Sequence, residues 1–123
     1  MNEGDNMNAW ENIKNKVEQN DSVATFTMTE LRDATGKEKL GVHVKAEISK
    51  TLTGLGIGHI PRDLPSYQDE VVRLYKRGTP IGDFLEIVIT PGEQHDRRIR
   101  DQLSQAEFRY IEIIEKIREL VTE

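Results

Sequence analysis

The last quarter of the chain constrains it most. From Ile99 onward, apolar residues fall at Leu103, Ala106, Tyr110, Ile113, Ile117 and Leu120, separated by alternating steps of four and three. An α-helix brings such positions to one side, and the spacing is the heptad seam of a coiled coil or helical bundle. Ile114 and Val121 widen the stripe beyond what a two-stranded seam needs. Thr90-Pro-Gly-Glu93 has the form of a capping box with proline at the first helical position, so a helix is expected from Pro91 to about Val121. Its apolar side needs cover. The expected solution is a homodimer whose bundle also takes in the N-terminal helix, through the face of Trp10, Ile13 and Val17.

The preceding residues alternate between start and stop signals. Residues 1–7 are polar and contain a glycine, and read as a disordered tail. Trp10, Ile13 and Val17 recur at helical spacing within an expected helix from Asn8 to Asn20. Ser22–Phe26, with β-branched Val23 and Thr25, suits a short strand. Thr27-Met-Thr-Glu30 is a capping box that opens a helix burying Leu31 and stopping near Gly36. Leu40, Val44, Ile48, Leu52 and Leu55 form a second stripe, whose opposite face carries His43, Lys45, Ser49, Lys50 and Thr53. Gly54 and Gly56 stop that helix, Pro61 and Pro65 keep the next stretch extended or turned, and Val71–Tyr75 reads as a strand running into Lys76-Arg-Gly78. Thr79-Pro80 caps a further helix that buries Ile81, Phe84, Leu85 and Val88. The expected fold class is α-rich α+β, with a tail at 1–7, a folded domain at 8–90 and a C-terminal dimerisation helix at 91–123.

Composition narrows the function. With no cysteine, disulfides and thiolate metal sites or nucleophiles are excluded. No apolar run approaches the roughly 18 residues of a membrane span, and the polar start is unlike a secretory leader, so the cytoplasm is the expected location. His43, His59 and His95 are far apart, no Ser/His/Asp or His-Glu-x-x-His spacing occurs, and there is no phosphate-loop lysine. Gly54-Leu-Gly-Ile-Gly58 follows a helix and leads to a proline, the reverse of a dinucleotide-binding turn. No catalytic residues, metal or cofactor are expected. The net charge is −5, yet residues 31–80 hold nine Lys and Arg against six acids, leaving the acidic excess to the flanks.

The middle of this order is helix, turn, helix, Gly/Pro loop, strand and basic turn. Residues 27–78, with Glu30-Leu-Arg-Asp33, Gly41, Ile48, Leu52, Gly54-Leu55 and Ile60-Pro61 where they stand, resemble the winged helix-turn-helix modules of small bacterial regulators and defence-associated proteins. Followed by a long dimerising helix, the layout is similar to that of PadR-type regulators. The resemblance implies a second helix lying in a DNA major groove, with a β-hairpin wing on the backbone. By helical geometry the DNA-facing set is Lys39, His43, Lys45, Ser49, Lys50 and Thr53, with Arg73, Lys76 and Arg77 on the wing side. The dimerisation set is Ile99, Leu103, Ala106, Tyr110, Ile113, Ile117 and Leu120. The implied function is transcription regulation, or an accessory role in a mobile-element or defence system. A protein-interaction adaptor with no DNA affinity is the alternative. Gly58-His-Ile-Pro61 is a poor first wing strand, and Arg62–Glu70 is long for a wing turn, so the wing is read as irregular or absent.

Overall fold

The computed structural model describes residues 3–121, with side chains from Met7 onward; the first two residues of the expected tail and the last two of the expected C-terminal helix lie outside them. The elements are α1 (Glu3–Gln19), β1 (Val23–Thr27), α2 (Met28–Thr35), α3 (Val42–Gly54), β2 (Ile57–Ile60), β3 (Val71–Lys76), α4 (Pro80–Ile89) and α5 (Glu93–Val121). Helices dominate, and the strands form one antiparallel sheet in the order β1-β3-β2. The chain divides into two units, Met1–Leu85 and Glu86–Glu123.

Helix α1 starts at Glu3, earlier than the expected Asn8, so residues 3–7 of the expected tail are helical. Gly4 costs a helix only about 1 kcal/mol relative to alanine, and the residues that follow anchor the helix. Trp10, Ile13 and Val17 enter a core with Phe26, Met28, Leu31, Ala34, Ile48, Leu52, Ile57, Leu64, Val72 and Leu74. The apolar face of α1 is thus filled within the first unit, which corrects the expectation that it joins the C-terminal helix in a bundle. Each fully buried Leu or Ile contributes about 1.5–3 kcal/mol.

Local chemistry sets the boundaries. The Thr27 hydroxyl accepts from the Glu30 N–H at 3.1 Å, and a Glu30 carboxylate oxygen accepts from the Thr27 N–H at 3.1 Å, completing the capping box of α2. Gly36 closes that helix at φ 78°, a left-handed conformation that suits glycine. Thr79 Oγ1 accepts from the Gly82 N–H at 3.1 Å and caps α4. In α5 the Asp96 N–H donates to the Gly92 carbonyl at 2.9 Å, so Gly92 is the cap residue and the helix begins at Glu93 instead of Pro91. The Thr90 carbonyl accepts from the His95 ring at 3.0 Å.

The sheet corrects the reading of Gly58–Pro61 as a poor strand. Strand β2 pairs regularly with β3, from Ile57 opposite Lys76 to Ile60 opposite Arg73. Pro61 lies just past the last paired residue, where its missing N–H costs no ladder bond. Along β3, Val72 and Leu74 face the core while Arg73 and Tyr75 alternate to the other face. Tyr75 is nevertheless buried. Its ring lies across Gly58, its cross-strand partner, in the space that any Cβ there would occupy.

Candidate nucleic-acid interface

Helix α3 spends one side on the fold. Ile48 and Leu52 are fully buried, and Val44 and the preceding Leu40 pack against the same core. The opposite arc exposes His43, Ala46, Glu47, Lys50 and Thr53, with exposed Lys39 in the turn before the helix. Among the described residues, no hydrogen bond or ion pair holds the side chains of Lys39, His43, Lys50 or Thr53.

Lys45 and Ser49 stand on the flank of α3 and serve the fold. The Lys45 ammonium donates to Ser66 Oγ at 2.9 Å and to the Leu64 carbonyl at 3.4 Å. Ser49 Oγ is 3.0 Å from His59 Nε2, while His59 Nδ1 is 2.7 Å from the Pro61 carbonyl. Since the carbonyl can only accept, Nδ1 carries a proton, and a neutral ring then accepts the Ser49 hydroxyl proton at Nε2. His59 is thereby a strut between α3 and β2.

The connection 61–70 folds back onto α2. The Thr29 N–H and hydroxyl both donate to the Gln68 carbonyl, at 3.0 and 2.7 Å, and the Met28 N–H donates to the Glu70 carbonyl at 2.9 Å. Arg32 Nη1 donates to Gln68 Oε1 at 2.6 Å, and Leu64 is buried in the core. Exposed Arg62, Asp63, Tyr67, Asp69 and Glu70 decorate this segment, giving it more acid than base.

The three basic residues of β3 and its turn stand in different surroundings. Arg73 is exposed on the sheet face away from the core into which α3 packs. Lys76 lies at the other end of the strand, 3.4 Å from the Glu18 carboxylate of α1. Arg77 is exposed in the following turn, where its N–H donates to the Gly56 carbonyl at 2.9 Å.

The C-terminal seam forms as a helix and is left uncovered. In α5, Ile99 is half-buried, while Leu103, Ala106, Tyr110, Ile113, Ile117 and Leu120 are exposed, Leu120 by 78%. None of the described residues of α5 is buried. Phe108 and Ile111, which the heptad reading passes over, are also exposed, off the seam.

Among the described residues, no group of three or more His, Asp and Glu is placed to hold a metal ion, and no helix is long and apolar enough to cross a membrane. The chain matches no family model, no curated protein and no solved structure.

Proposed function

We propose that this chain is a homodimeric winged-helix protein that binds double-stranded DNA through α3 and acts by binding, not by catalysis. In this reading it serves as a transcription regulator or as an accessory factor of a mobile-element or defence system. The order α1-β1-α2-α3-β2-β3 with strand order β1-β3-β2 supports the winged-helix assignment. The observation that carries the DNA reading is the outer arc of α3. It presents His43, Lys50 and Thr53, with Lys39 beside it, on a helix whose other side is fixed by the core. Of the wider set expected from periodicity, Lys45, Ser49 and Lys76 also hold partners within the fold, and Arg73 and Arg77 stand outside α3, on β3 and in the turn after it.

A second reading, a protein-interaction adaptor on the same fold, is favoured by the exposed acids of this unit: Glu47 on α3, and Asp63, Asp69 and Glu70 in the connection. Fluorescence anisotropy with a labelled duplex across a salt series separates the two. The DNA reading expects binding at low salt that weakens steeply as salt is added. Lys50→Ala should lower the salt slope by about one unit, while Lys45→Ala leaves it unchanged. A duplex that stays unbound at low salt, or a slope indifferent to Lys50, favours the adaptor.

A further inference from the structure

We infer that α5 pairs in parallel with the α5 of a second copy of this chain; the inference rests on the dimer part of the reading above. The seam gives Leu103, Tyr110 and Ile117 the a positions of a heptad, and Ile99, Ala106, Ile113 and Leu120 the d positions. In a parallel pair each of the seven meets its own counterpart, so these seven layers are apolar, and Asp96 meets its counterpart in the layer before Ile99. Helical side chains lean toward the N-terminus, which tips the two Tyr110 rings over the small Ala106 layer.

The flanks fit the same arrangement. A g residue of one helix reaches the e residue five positions on in the other. Gln102 then meets the partner's Glu107, Arg109 meets the partner's Ile114, and Lys116 meets the partner's Val121. Ile114 and Val121 are the residues that make the stripe too wide for a bare two-stranded seam. Arg109 and Lys116 cover them with their aliphatic stems and keep their charges in water.

The antiparallel alternatives are poorer. The register that overlaps the seam most fully sets Leu120 against the partner's Asp96, and on its flanks Glu107 faces the partner's Glu107 and Arg109 the partner's Arg109. Sliding by a heptad one way leaves Ile117 and Leu120 unmatched; sliding the other way sets Arg109 against the partner's Lys116 on both sides. The parallel pair also brings the two Glu93 ends together, and with them the chains leading from the two first units. A dimer reading two half-sites on one duplex uses such an arrangement.

The absence of native cysteine makes the test direct. Full-length Leu120→Cys is equilibrated in a glutathione redox buffer, alone and mixed with full-length Asp96→Cys, and the reduced protein is sedimented in parallel. Both positions are exposed, so the substitutions spare the core. The inference expects Leu120→Cys to link to itself, Asp96→Cys to link to itself, and mixed 96–120 links to be scarce. In the antiparallel register the two 120 positions lie about 36 Å apart along the helix axis, beyond the roughly 7 Å that a disulfide tolerates between Cα atoms. Predominant 96–120 links overturn the parallel pair while leaving the dimer standing. A reduced protein that sediments as a monomer overturns the pair and the dimer together.

Discussion

Helices α3 and α5 both carry an apolar stripe at helical spacing, but one stripe is buried and the other exposed. Ile48 and Leu52 of α3 are completely enclosed, whereas the seam of α5 from Leu103 to Leu120 lies open along the helix. Periodicity states that a helix has a side to bury; it does not say against what. In α3 the cover comes from a sheet and two helices of the same chain. In α5 the seven-position register is complementary to itself, which is why a second copy is the occupant assigned to it.

Three substitutions stress this contrast, each followed in urea by the fluorescence of Trp10, the sole tryptophan, which sits in the core of the first unit. Leu52→Ala leaves a cavity in that core and should lower stability by about 2–5 kcal/mol. Thr27→Ala removes one half of the α2 capping box and should cost about 1 kcal/mol. Ile113→Asp should shift the Trp10 transition by less than about 0.5 kcal/mol, the usual range for a surface site, while converting the dimer to a monomer in sedimentation, since it puts an unpaired carboxylate into the seam. A large loss of Trp10 stability in Ile113→Asp would show that α5 supports the first unit, and the contrast between the two stripes would fail.

What was legible in the sequence was local. The capping box at Thr27 and Glu30, the glycine stop at Gly36, the cap at Thr79 and the buried side of α3 depend on residues a turn or two apart, and each stands as expected. For the candidate site, the partners that its residues hold within the fold were not legible, because they come from far along the chain. Ser66 holds Lys45 from 21 residues away, and Glu18 holds Lys76 from 58 away. Neither pairing leaves a mark on periodicity. Arg73 was grouped with Lys76 and Arg77 by sequence proximity, but alternation along β3 turns it to the face opposite α3. The regular pairing of β2 was missed because Pro61 was counted inside the strand, whereas the ladder ends one residue before it.

The central claim, a dimer that carries α3 to DNA, is tested most directly by sedimentation velocity of the full chain with a fluorescent duplex at low salt. The account predicts two chains of 14.1 kDa travelling with each duplex, and their release as salt is raised. A duplex that sediments alone beside the protein, at every protein concentration, would contradict it.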